Sequence, residues 1–275
     1  MERLATGQTV PAGAGPGDNL FTNPSRSRHT DSTILLMTSL GGAMAAHGVL
    51  IPPVHTKRGR RTTLQTVLLA CGIAAPLLYA FMLVLVPLRW EAYSSVDQTV
   101  SELSAIGAPT RPLWVPLGMV YTLLLAAFGW GIWVSTRGDR RLRVVGALMI
   151  ACGVFGLFWP PMHLRGVEVT LTDTLHIVWM MVSGLLTLAA MGFSAAAFGR
   201  RFRLYSIATI VLMVVFGALT SLDAPRIQAN LPTPWIGVWE RCDVAVWMLW
   251  IIVLAVALLR RKVHRGGTNP AEGEQ

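Results

Sequence analysis

Long uninterrupted apolar runs, each separated from the next by a short loop, restrict the folds open to this chain more than any other feature. About 20 apolar residues in helical form cross the roughly 30 Å of bilayer hydrocarbon. Within lipid, every backbone N–H and C=O must be satisfied inside the segment itself, which selects helices here. Five runs reach that length directly, at 67–88, 113–134, 144–162, 177–198 and 204–222. A sixth, at 244–259, is short alone. It is expected to start near Pro234 with Thr233 as N-cap, and so to carry Glu240, Arg241 and Asp243 in its early turns. The expected fold class is all-α, an integral membrane helical bundle of six transmembrane helices.

The charges between the runs give that bundle a direction, because Lys and Arg in short loops stay on the cytoplasmic side. Taking ends and loops alternately, one side carries Lys57, Arg58, Arg60, Arg61, Arg137, Arg140, Arg141, Arg143, Arg200, Arg201, Arg203, Arg260, Arg261, Lys262 and Arg265. The other carries only Arg89, Arg111, Arg165, Arg226 and Arg241, together with eight acids: Glu91, Asp97, Glu102, Glu168, Asp173, Asp223, Glu240 and Asp243. Both ends are therefore expected in the cytoplasm, in a plasma-membrane protein. Trp90, Trp114, Trp159, Trp235 and Trp239 gather near the outer ends, where amphipathic rings favour the interface.

Composition supports lipid as the solvent, with 53% hydrophobic residues, 13% charged and a mean hydropathy of +0.54. A net charge of +9 would raise nucleic-acid binding in a soluble protein. Here the basic residues sit in loops that orient helices, and no nucleic-acid-binding pattern accompanies them, so no nucleic-acid partner is expected. Three cysteines, Cys71, Cys152 and Cys242, have neither paired spacing nor a zinc-cluster pattern.

Residues 1–60 are expected to be disordered, or to be an extension ahead of a true start at Met37 or Met44, since Gly, Pro, Ser, Thr and Asn dominate their first half. Within them 34–54 is weakly apolar, broken by Thr38, Ser39, Gly41, Gly42 and His47, and a seventh span there is the alternative. The membrane domain is expected over 61–265, with a disordered tail at 266–275. The first three and last three spans show no internal repeat of the kind that marks many secondary transporters.

On the outer side, Val96, Val100, Leu103 and Ile106 follow helical spacing, with Asp97, Ser101 and Ser104 on another face. This pattern predicts a short amphipathic helix in the first external loop. Ser95 with Gln98 would form its capping box, and Gly107 followed by Pro109 would end it. Between the third and fourth spans, Asp173 and His176 lie three apart at a helix head and share a face, with His163 just before them.

Structural roles are open to each of these residues. Asp173 suits a helix start, His176 can bond a neighbouring carbonyl, and His163 can sit among headgroups. Functionally, His163, Asp173 and His176 offer three metal ligands, zinc being the natural ion, with Glu240 or Asp243 as a fourth ligand or as a base. Alternatively they join a polar cluster for a lipid headgroup or small ligand, with Arg165 and Arg241 anchoring an anion.

The outer motifs are Ser101-Glu102-Leu103 with Gly107-Ala108-Pro109, Met162-His163 with Arg165-Gly166, Thr172-Asp173-Thr174-Leu175-His176, and Gly237 with Glu240-Arg241. Together they resemble a bacterial and archaeal membrane family catalogued as domain of unknown function 998, over about residues 64–260. The resemblance implies a six-helix membrane domain and a single site formed by the polar residues, and it carries no established activity. The candidate cluster is Ser101, Glu102, His163, Arg165, Asp173, His176, Glu240, Arg241 and Asp243, and no catalytic residue is assigned. The leading expectation is a multi-pass membrane protein that meets a lipid headgroup or small ligand there, without a cofactor. A metal-dependent membrane hydrolase and a small transporter or channel-like protein are the alternatives.

Overall fold

A computed structural model describes residues 57–136 and 138–267, with side chains described for 62–136 and 138–262. The expectations for 1–56, including a span at 34–54, and for 268–275 lie outside the described residues. The described chain folds into α1 (Lys57–Leu85), α2 (Arg111–Ser135), α3 (Arg140–Leu157), α4 (Leu171–Ala197), α5 (Arg200–Leu222), the short α6 (Ala224–Gln228) and α7 (Ile236–Gly267). Single 3-10 turns occupy Pro87–Arg89 and Ser101–Ser104.

The six long helices close on themselves in chain order. α1 packs on α2, α2 on α3, α3 on α4, α4 on α5, and α5 on α7, which returns to α1. Their shared interior holds Phe128, Ile132, Met149, Trp250, Ile251 and Leu254, all with no exposed surface. α2 and α3 touch most closely because glycine lines the seam. A Cβ at Gly153 would lie 2.6 Å from the Ala126 backbone nitrogen, and one at Gly146 would lie 2.8 Å from that of Trp133. Small residues at such crossings let helix backbones approach where lipid supplies no hydrophobic drive to association.

Five helical stretches are long and apolar enough to cross a bilayer: Thr62–Arg89, Arg111–Ser135, Leu171–Ala197, Arg200–Gln228 and Ile236–Lys262. Only 6% of the most apolar window of α5 is buried, against 39% for α7. Leu204, Val211 and Val214 of α5 are accordingly exposed. So much apolar surface turned outward fits contact with acyl chains rather than with water.

α3 departs from the expected 144–162 run. It ends at Leu157, five residues early, because Pro160 and Pro161 supply no N–H and Pro160 disfavours helical geometry at Trp159. It begins earlier too, at Arg140, with Asp139 accepting a cap bond from the Leu142 N–H. Its 18 residues span about 27 Å, and three of them, Arg140, Arg141 and Arg143, are charged.

The last helix starts at Ile236 rather than Pro234. Trp235 adopts φ 71°, a left-handed conformation that breaks the helix ahead of it. Thr233 does not cap the helix with its hydroxyl, which donates to the Asp97 carbonyl instead.

The loop between α1 and α2 is not the amphipathic helix its spacing predicts. It is an irregular strap with one 3-10 turn at Ser101–Ser104, which ends at Ala105 rather than at Gly107; Gly107 (φ 92°) takes a left-handed turn after it. Val100 and Leu103 are buried against Met82, Val86 and Trp114, whereas Val96 and Ile106 stay exposed. Each buried aliphatic side chain contributes about 1.5–3 kcal/mol, enough to hold the strap down without helical structure. The local cap also differs from Ser95 with Gln98. The Ser94 N–H donates to the Gln98 side-chain oxygen at 2.8 Å, and the Ser94 hydroxyl donates to Asp97 at 2.9 Å.

Candidate functional site

Five consecutive carbonyls of the strap accept bonds from donors outside any helical ladder. Ser95 O accepts from Arg241 at 2.8 Å, and Val96 O from the Gly237 N–H at 2.9 Å. Asp97 O accepts from Arg165 at 3.0 Å and Thr233 at 2.8 Å. Gln98 O accepts from Arg241 at 3.3 Å, and Thr99 O from the Tyr93 hydroxyl at 2.7 Å. An α-helix would need those carbonyls for its own N–H groups. The strap instead docks along the head of α7, where Gly237 leaves room. A Cβ at Gly237 would stand 2.3 Å from Gln98 O.

Four charged groups clamp this arrangement. Arg165 forms a two-point pair with Glu102, Nε to Oε1 at 2.7 Å and Nη2 to Oε2 at 3.0 Å, and its Nη1 donates to Thr233 at 2.7 Å. Glu102 is fully buried and also accepts from Gln98 and from both the N–H and the hydroxyl of Thr99. Glu240 accepts the Val100 N–H at 2.5 Å, so it caps the strap instead of pairing with Arg165. Arg241 donates to the Tyr93 hydroxyl at 2.7 Å and lies 5.6 Å from that ring centre. Burial pushes the Tyr93 phenol up to about 12, although the Arg241 cation pulls the other way.

His163 and Asp173 meet, while His176 bonds other partners. Asp173 is the N3 residue of a capping box with Thr170. It accepts from the His163 N–H at 2.6 Å and from the Thr170 N–H and hydroxyl at 2.9 and 2.7 Å, and it contacts the His163 ring at 3.0 Å. His176 turns inward, 5% exposed. Its Nδ1 lies 2.8 Å from the Pro160 carbonyl and its Nε2 lies 3.3 Å from the Ser101 hydroxyl. Among the described residues, no three His, Cys, Asp or Glu side chains converge as a metal site. Asp243 stands apart, one carboxylate oxygen buried without a hydrogen-bond partner among the described residues.

A cavity of about 350 Å³ opens beneath the strap. Ser101, Ser104, Arg111 and Trp159 line it on the strap side, and Met119, Leu125 and Met248 are among its mainly apolar walls. Arg111, at the first turn of α2, donates to Ser104 O. The N–H of Ile106 donates to Met162 O at 2.7 Å, tying the strap to the loop that carries His163 and Arg165. Arg111, Tyr93, Thr99 and Thr233 were not among the residues singled out from sequence as the cluster. Arg111 had a visible signal, a lone cation at an outer helix head, whereas the other three act through contacts that spacing does not reveal.

The model of the family described as Protein of unknown function (DUF998) matches residues 72–257, and the chain belongs to that family. No curated protein and no solved structure matches the chain. The matched segment takes in the strap, the Glu102–Arg165 pair, the Asp173 cap, His176, the cavity residues and the head of α7.

Proposed function

We propose that this DUF998 chain is a six-span plasma-membrane protein with both ends in the cytoplasm, and that it holds an amphiphilic ligand of the lipid class in its outer cavity. The cavity carries this reading: its depth is apolar, and its outer end holds Arg111, Ser101 and Ser104. A volume near 350 Å³ lies within the roughly 300–1,000 Å³ of small-molecule pockets, which combine apolar walls with a few placed polar groups. An acyl chain suits the depth, and an anionic headgroup suits the Arg111 guanidinium. Arg165 and Arg241 serve a different purpose in this reading, since both are engaged with the chain's own carboxylate, carbonyls and phenol.

The five long apolar helices together with α3 support six spans, and the arginine-rich loops on one side support the orientation. Single-cysteine labelling in intact cells tests this. A cysteine at Glu168 should react with an impermeant maleimide, and one at Gly199 should not; the reverse pattern rejects the orientation.

Ligand binding is tested with a photoactivatable single-chain phospholipid and the full-length protein. Gly118 lines the cavity, and a Cβ there meets nothing within 4 Å, so Gly118→Trp fills the space from within α2. Crosslinking should fall at least tenfold in Gly118→Trp with the melting temperature retained. Equal crosslinking in both proteins would overturn the cavity as the binding site.

A further inference from the structure

We infer that Ser101 and His176 form a nucleophile–base pair that cleaves an acyl ester held in the outer cavity. This rests on the binding reading above and adds an activity to it. The two residues come from different elements, the strap and the second turn of α4, and meet at 3.3 Å between the serine hydroxyl and His176 Nε2. Ser104, one turn on, shows the ordinary alternative, its hydroxyl donating to the Ser101 carbonyl at 2.9 Å. Ser101 also lines the cavity, which a purely structural hydrogen bond does not require.

The ring of His176 is set for a base. Its Nδ1 lies 2.8 Å from the Pro160 carbonyl, which can only accept, and 3.1 Å from the Trp159 indole N–H, which can only donate. One nitrogen cannot serve both. The shorter contact assigns the proton to Nδ1, leaving the Nε2 lone pair toward Ser101. Trp159 then packs edge-on against the ring at 5.4 Å, and with Pro160 it fixes the imidazole plane. A base whose other nitrogen is held by an oriented acceptor is the arrangement that activates serine nucleophiles.

The chemistry balances with water as the only co-reactant. The Ser101 oxygen attacks the ester carbonyl carbon while its proton passes to His176 Nε2. The ester C–O bond breaks, and the alcohol leaves with that proton. Water then attacks the acyl-serine, giving up a proton through His176, and releases a carboxylic acid as the Ser101 hydroxyl reforms. Arg111, at the same end of the cavity, supplies positive charge for the carbonyl oxygen or for a phosphate on the substrate.

An alkyl fluorophosphonate, which captures activated serines, reads the pair directly in the full-length protein in detergent. Labelling at Ser101 is expected by peptide mass spectrometry, absent in Ser101→Ala and at least about 10²-fold slower in His176→Asn. His176→Asn retains a polar side chain facing Ser101, and its melting temperature reports whether it folds. Ser101→Ala, the smaller change, should abolish hydrolysis of a fluorogenic fatty-acyl ester with the wild-type melting temperature retained. An unlabelled wild-type protein that crosslinks the phospholipid overturns the activity and leaves the binding reading standing. Labelling unchanged in a folded His176→Asn overturns the pairing. Loss of crosslinking in the wild-type protein overturns the binding reading itself.

Discussion

Glu102 and Arg165 join the α1–α2 and α3–α4 loops through parallel hydrogen bonds of 2.7 and 3.0 Å, and the carboxylate is wholly removed from solvent. Removing one partner of such a pair leaves the other charge buried and unmatched, which costs about 3–5 kcal/mol. Glu102→Gln and Arg165→Met should each lower the thermal unfolding midpoint in detergent. The double variant should lose less than the two single losses added together, because residues in contact are not additive. Strict additivity in that cycle would show that the two side chains do not stabilise one another.

Gly237 reverses the usual rule for helices. Replacing an exposed helical glycine by alanine normally stabilises by about 1 kcal/mol. At Gly237 the added methyl would stand 2.3 Å from Gln98 O and 2.5 Å from Ser95 O, both backbone atoms. Gly237→Ala should therefore destabilise the protein and make the strap more sensitive to added protease. Gly217→Ala in α5, where a Cβ meets nothing within 4 Å, should be neutral or stabilising. Equal melting temperatures for the two variants would contradict the close docking of strap on α7.

Tyr93 makes the site sensitive to alkali. Its phenol is held up to about 12 in the folded protein, above the ordinary value near 10. A group whose folded pKa is raised contributes stability that is complete below the unfolded value and lost as pH climbs through the folded one. Stability should thus fall between about pH 10 and 12 more steeply in the wild-type protein than in Tyr93→Phe. Parallel unfolding curves across that window would remove Tyr93 from the account.

Hydropathy and charge made the helices legible because lipid imposes a simple length rule. The head of α4 was readable in part: Asp173 suited a helix start, but the helix begins at Leu171, ahead of the apolar run at 177, through a capping box with Thr170. The early end of α3 was written in Pro160-Pro161, a local signal that the apolar run outweighed. The strap could not be read in this way. Its Val96–Ile106 spacing is helical, yet Arg165, Tyr93, Gly237 and Arg241 compete for the carbonyls a helix would use. Those competitors lie far away in the chain, apart from Tyr93, and local periodicity carries no trace of them. Glu240 was recognised as important, but its partner, the Val100 N–H, is a backbone group that no side-chain pattern announces.

The return of α7 to α1 also sets an order on biosynthesis. Val100 and its partner Glu240 are separated by 140 residues, so the strap leaves the ribosome long before the helix that receives it. At roughly 5–20 residues per second, the Ser95 and Val96 carbonyls wait on the order of ten seconds for their donors on α7. The chamber is therefore completed only when the final helix arrives, and a nascent chain that stalls before residue 237 lacks the helix head on which the strap docks.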